Sequence, residues 1–146
     1  MKSKVIIEMK SVQSVGGEKS EAKLITEGTY EEKNDRQIIS YKDSEATGFE
    51  GSVTDITIKE EKYASIVRQG SSRSDLMIEP GKKHHCHYGT PYGEMVVGIY
   101  THKIENKLDG MCGSIYMKYT IDINSSYMSD NEIILNICLL YTSPSP

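Results

Sequence analysis

Residues 113–124 read Gly113-Ser114-Ile115-Tyr116-Met117-Lys118-Tyr119-Thr120-Ile121-Asp122-Ile123-Asn124. Taken at alternate positions, Ile115, Met117, Tyr119, Ile121 and Ile123 form an apolar series, while Ser114, Tyr116, Lys118, Thr120 and Asp122 form a polar one. A period of two is what a half-buried strand requires, because successive side chains leave a pleated backbone on opposite faces. A slip of one residue would carry the whole apolar series into water, so this stretch specifies its own register.

Weaker versions of the same alternation occur at Val5, Ile7 and Met9, at Ala22, Leu24 and Thr26, at Ile39 and Tyr41, at Ile56 and Ile58, and at Ile133, Leu135 and Ile137. No window sustains apolar residues at helical spacing, so strands are expected nearly everywhere. Between them lie Gly16-Gly17, Lys33-Asn34-Asp35, Glu60-Glu61-Lys62, Pro80-Gly81, Thr90-Pro91-Tyr92-Gly93 and Asp109-Gly110. These supply the positive or fixed φ that tight reversals need, and short connections imply sequential hairpins. Laid flat, so many strands would leave long unpaired edges, which closure removes. The expected fold class is all-β, an antiparallel up-and-down barrel of about 8–10 strands, with a two-sheet sandwich as the alternative.

The 146 residues are 37% hydrophobic and 26% charged, without tryptophan, which suits one folded core. A formal net charge of -4 disfavours a nonspecific grip on nucleic acid or on an anionic membrane, so neither is expected as a partner. The apolar run after Lys2 and Lys4 is broken by Glu8 and Lys10 before a signal-peptide core is complete. No stretch reaches the ~20 apolar residues that span a bilayer. The three cysteines, Cys86, Cys112 and Cys138, are an odd number and argue against a disulfide framework, so the expected location is cytoplasmic. Nothing in the sequence signals an oligomeric state. Residues 138–146, Cys138-Leu139-Leu140-Tyr141-Thr142-Ser143-Pro144-Ser145-Pro146, break the alternation and look like translated adaptor sequence. They are expected to hang as a non-native tail beyond a single barrel domain of residues 1–137.

Four segments carry a likeness. Tyr41-Lys42-Asp43-Ser44-Glu45-Ala46-Thr47-Gly48-Phe49-Glu50-Gly51, then Arg68-Gln69-Gly70, Glu79-Pro80-Gly81-Lys82-Lys83-His84 and Tyr88-Gly89-Thr90-Pro91-Tyr92-Gly93 resemble the YwiB-like family of uncharacterised bacterial proteins. The likeness runs in order from about Lys4 to Ile137 and includes the Tyr119 strand and a late Ser129-Asp130-Asn131 turn. It implies a calycin-like barrel, related in shape to lipocalins and fatty-acid-binding proteins, found mainly in Gram-positive bacteria and without an assigned activity. The chain departs from the family pattern in placing His85, Cys86 and His87 before Tyr88, so no family-wide metal site is implied.

His84-His85-Cys86-His87 brings together the residue types that bind zinc. Strand alternation divides them, His84 and Cys86 on one face and His85 and His87 on the other, so at most a pair can meet one ion without a bulge. Closing a hairpin with Thr90 opposite Gly93 sets Tyr88 opposite Met95, Cys86 opposite Val97, His84 opposite Ile99 and His85 opposite Gly98. His102 is then about 13 Å further along. Neither a metal nor a cofactor is expected. The hairpin turns His84, Cys86 and Tyr88 inward beside Met95, Val97 and Ile99, an apolar wall with polar handles of the kind that lines small-molecule sites. Arg68 shares a face with Ala64 and Ile66, and an inward guanidinium needs a carboxylate or an anionic ligand. Glu45, Glu50 and Glu79 are its candidate partners.

The candidate interior ligand contacts are therefore Tyr41, Arg68, Glu79, His84 and Tyr88. No nucleophile elbow, phosphate-binding loop or metalloprotease helix occurs, and no catalytic residue is assigned. The expected function is a cytoplasmic, non-catalytic binder of a small apolar or amphipathic ligand. A filled barrel that docks a protein partner is one alternative, and an enzyme is the other.

Overall fold

The computed structural model describes residues 2–44, 50–70, 73–90, 93–109 and 112–140. Ten strands follow in order: β1 (Lys2–Val15), β2 (Glu18–Lys33), β3 (Arg36–Lys42), β4 (Ser52–Lys59), β5 (Tyr63–Gly70), β6 (Ser74–Ile78), β7 (Lys83–Thr90), β8 (Gly93–Asp109), β9 (Cys112–Ile123) and β10 (Ser126–Leu139). Each pairs antiparallel with its sequence neighbours, and β1 pairs with β10 to close the barrel. Closure gives every strand a neighbour on both sides. Among the described residues no helix is long and apolar enough to cross a membrane.

Turn chemistry explains the reversals. Asn34 and Asp35 have φ of 53° and 63°, and Asn124 and Ser125 have φ of 53° and 66°. Consecutive left-handed residues match the twist of the flanking strands in two-residue hairpins, and Asn and Asp tolerate that region. The turn at Asn124-Ser125 replaces the one expected at Ser129-Asp130-Asn131, which lies inside β10. There the Asp130 carboxylate accepts hydrogen bonds from Thr120 Oγ1 (2.7 Å) and Tyr127 OH (3.0 Å) rather than serving a reversal. A bulge between Tyr127 and Ser129 absorbs the irregularity.

The β7–β8 register is the one read from the sequence, from Thr90 opposite Gly93 to His84 opposite Ile99. Cys86, Val97 and Ile99 are buried, whereas His85 and His87 are exposed. Met95, expected on the interior wall, is 38% exposed. The ladder between β8 and β9 begins only at Gly98 opposite Asp122, so the tip of this hairpin stands clear of the strand that would cover it.

Ile7, Ile39, Ile56, Ile58, Ile78, Ile99, Ile115, Met117 and Leu135 are the largest side chains sealed from solvent. Each such burial contributes roughly 1.5–3 kcal/mol. On β9, Ile115, Met117 and Tyr119 are buried while Ile121 and Ile123 are only half-buried, so the core fades toward the β9–β10 turn. At the opposite end, which carries the β2–β3, β4–β5 and β8–β9 turns, Asn106 links β8 to β3 and to the β4–β5 turn. Its Nδ2 donates to Gln37 Oε1 (2.8 Å) and to the Glu60 carbonyl (3.0 Å), and its backbone N–H donates to Glu61 Oε2 (3.0 Å).

The weakest seam joins β6 to β7, where Ser74 and Asp75 pair with Tyr88 and His87. Beyond that point the Met77 N–H donates to Cys86 Sγ (3.3 Å). The β6–β7 connection turns instead to β8, Gly81 N–H donating to the Thr101 carbonyl (2.9 Å).

The C-terminal segment differs from expectation. Cys138 and Leu139 pair with Ile6 and Val5, and the Leu140 N–H donates to the Lys4 carbonyl (3.0 Å). A backbone ladder is indifferent to side-chain identity, and β1 offers unpaired groups there to whatever sequence follows Ile137. Residues 141–146 of the expected tail lie outside the described residues. All three cysteines are free thiols, with the Cys112 and Cys138 sulfurs 3.6 Å apart across β9 and β10.

Candidate ligand site at the open end of the barrel

At the end carrying the β1–β2, β7–β8 and β9–β10 tips, inward positions change character. On β1 the inward series Val5, Ile7, Met9 gives way to Ser11 and Gln13, and on β2 Leu24 gives way to Ala22 and Ser20. These side chains are too small or too polar to continue the core. They leave a cavity of about 280 Å³ over Leu76, Ile121 and Ile133, with Tyr88, Tyr119 and Asn131 as its inner polar groups. At ~30 Å³ each, that is room for about nine waters.

The polar groups are under-used. Among the described residues, neither the Tyr88 nor the Tyr119 hydroxyl has a hydrogen-bond partner, and Tyr119 is only 7% exposed. Burial, and then the neighbouring Tyr88, push the Tyr119 phenol up from its ordinary range, so it stays a neutral donor. Asn131, 8% exposed, donates from Nδ2 to Ser129 Oγ (3.0 Å), and its Oδ1 accepts nothing among the described residues. Val15, Met95, Tyr127 and Met128 stand exposed at the surrounding hairpin tips and give the mouth an apolar rim.

A polar cluster occupies the β3–β5 side of the same end. Arg68 Nε donates to Asp43 Oδ2 (3.3 Å) and to Thr54 Oγ1 (3.2 Å), and the Thr54 hydroxyl donates to the same Asp43 oxygen (2.7 Å). The Asp43 side chain is fully buried and that of Arg68 is 14% exposed. Asp43 Oδ1 is buried without a partner among the described residues. Beside them the Tyr41 phenol is raised by burial and by the Asp43 carboxylate, with Arg68 acting in the opposite sense. Among the described residues Arg68 is thus paired with Asp43, a carboxylate outside the expected set. Glu50 is exposed, Glu79 lies elsewhere, and Glu45 lies outside the described residues. The signal for Asp43 was present, since it continues the inward series Ile39, Tyr41 by one more step.

Glu79 and His84 form a separate pair at the far end of β7 from Tyr88. A carboxylate only accepts, so His84 Nε2 donates to Glu79 Oε1 (2.8 Å), while Lys82 Nζ lies 3.2 Å from Oε2. These contacts, the His84 hydrogen bond foremost, hold the Glu79 carboxyl below the usual carboxylate range. Both side chains are about a third exposed, at 30% and 34%. Glu79 follows β6, which ends at Ile78 where the chain turns toward β8, and His84, half-buried opposite the buried Ile99, meets it there away from the mouth. Among the described residues no group of three or more His, Cys, Asp and Glu side chains could hold a metal ion. His102 Nε2 contacts Thr120 Oγ1 instead (2.7 Å).

A larger, open cleft of about 810 Å³ lies at the opposite end, between the β2–β3 and β4–β5 turns and Asn106. Glu32, Gln37 and Asn106, which continue the inward series of β2, β3 and β8, line it and are joined by hydrogen bonds through the Tyr30 hydroxyl and the Gln37 amide.

Of the five sequence candidates, then, Tyr88 lines the cavity, Tyr41 and Arg68 build the cluster beside it, and Glu79 and His84 latch the β6–β7 connection. Tyr119 and Asn131 are functional candidates that the sequence reading passed over. A family profile described as a domain of unknown function, DUF1934, matches residues 7–135. The chain belongs to this family. The DUF1934 span contains every residue of the mouth from Ser11 to Ile133 and stops short of the segment from Cys138 onward. The crystal structure of the YwiB protein from Bacillus subtilis has the same fold, with a TM-score of 0.84 at 18% identity over 96% of this chain and 94% of that chain. This DUF1934 domain is therefore a calycin-like barrel, and at that identity the likeness speaks for fold alone. No curated protein matches it.

Proposed function

We propose that this DUF1934 domain is a non-catalytic, cytoplasmic binding protein whose mouth takes up one small amphipathic molecule. The observation that carries the reading is the pair of unpartnered phenol hydroxyls of Tyr88 and Tyr119 inside a cavity of about 280 Å³ with an apolar floor. With no protein partner among the described residues, both hydroxyls face the water-accessible space of the mouth, where a bound polar group can take the place of water. The volume lies just under the ~300–1,000 Å³ of drug-sized sites, so the ligand is small or extends past the rim. Its polar end meets Tyr88, Tyr119 and Asn131, and its apolar part covers Leu76, Ile121 and Ile133.

Native mass spectrometry against a panel of small amphiphiles tests this. One-to-one adducts are expected with the wild type and none with Ala22→Trp, whose indole would fill the mouth from β2. Absence of adducts with the wild type, or equal adducts with both, would contradict the reading. The exposed rim of Val15, Met95, Tyr127 and Met128 favours a second reading, a protein partner seated on the mouth. That reading expects the same partner capture with and without a small ligand.

A further inference from the structure

The charge around the mouth narrows the ligand's chemistry. Two glutamates, Glu21 and Glu132, lie along the cavity wall, but both belong to the outward register of their strands. The Glu21 carboxylate is 3.5 Å from Lys10 Nζ on the outer face. Glu132 Oε2 accepts the Tyr116 hydroxyl there (2.8 Å). What these strands present inward is uncharged: Ser11, Gln13, Ser20, Tyr88, Tyr119 and Asn131 are the polar side chains, and among the described residues no inward carboxylate, ammonium or guanidinium lines this space. Arg68, the nearby interior cation, is held by the buried Asp43 carboxylate and does not line the cavity.

A charged ligand group entering such a space would lose hydration and meet no counter-charge. A hydroxyl, carbonyl or amide would lose little, because two phenols are free to donate and the Asn131 amide oxygen is free to accept. On the footing of the ligand reading above, we infer that the mouth selects an uncharged small amphiphile bearing a hydroxyl, carbonyl or amide end, and rejects carboxylates and ammonium ions of equal length. A fatty acid held through its carboxylate is therefore not the cargo.

Three probes of matched length separate the cases: hexan-1-ol, hexanoate and hexylammonium, titrated at neutral pH into protein with labelled isoleucine methyl groups. Hexan-1-ol shifts the Ile121 and Ile133 methyls saturably. The two ions bind there at least about tenfold more weakly, the low end of an uncompensated desolvation penalty in a partly open site. Tyr119→Phe weakens hexan-1-ol by about three- to tenfold, the value of one hydrogen bond, while the Ile56 and Ile99 methyls report an unchanged core. An ion that binds at Ile121 and Ile133 as tightly as the alcohol overturns the selectivity and leaves ligand binding standing. Silence from all three probes removes ligand binding and the selectivity together.

Discussion

Arg68→Met will lower the free energy of unfolding by about 3–5 kcal/mol, the range for removing one partner of a buried ion pair. The substitution keeps most of the side-chain volume, so the loss is electrostatic. Among the described residues it leaves the fully buried Asp43 carboxylate with the Thr54 hydroxyl as its side-chain partner and Oδ1 without one. Adding Asp43→Asn to Arg68→Met should recover much of the loss, because the uncompensated charge is then gone. Urea unfolding at constant m-value measures both variants. A loss below about 1 kcal/mol for Arg68→Met, the scale of an exposed pair, would mean that the cluster is open to water.

Met117→Ala is expected to cost about 2–5 kcal/mol, since truncating a sealed side chain adds a cavity to the lost transfer energy. Met117 is inaccessible to solvent and faces Ile104 on β8 and Ile133 on β10 across the ladder. Four residues further along the same inward series, Ile121 is half-buried at the mouth. Ile121→Ala should cost less than half as much, because the space it leaves joins one already open to water. Equal losses at both positions would show that the core does not thin toward the mouth.

The two substitutions probe features of unequal legibility. The period-two pattern of residues 113–124 was enough for the strand, and the Thr90-Pro91-Tyr92-Gly93 turn was enough for the β7–β8 register. Alternation reports which face a residue takes but not how far a strand runs beyond its neighbour. That is why Met95, with the right parity, stands in solvent above the end of the β8–β9 ladder. The same limit applied to Tyr119, whose inward direction was legible while its position at the edge of an empty space was not. The clue lay on other strands, where bulky inward residues of β1 and β2 give way to Ser11, Gln13, Ser20 and Ala22. Asp43 was missed because its partner is 25 residues away, joined by the lateral stacking of β3, β4 and β5 rather than by any local spacing. Glu79 was misplaced because composition around Pro80-Gly81 marks a turn without saying which way the chain leaves the wall.

The barrel is packed solid along its middle and opens between the β1–β2, β7–β8 and β9–β10 tips, where the Tyr88 and Tyr119 hydroxyls have no protein partner among the described residues. Paramagnetic broadening of isoleucine methyl signals by a small neutral nitroxide tests this arrangement most directly. The signals of Ile121 and Ile133 should broaden strongly while those of Ile7, Ile56, Ile99 and Ile115 stay sharp. Uniformly sharp signals, or broadening that reaches Ile56 and Ile99, would contradict the account, the first by closing the mouth and the second by hollowing the core.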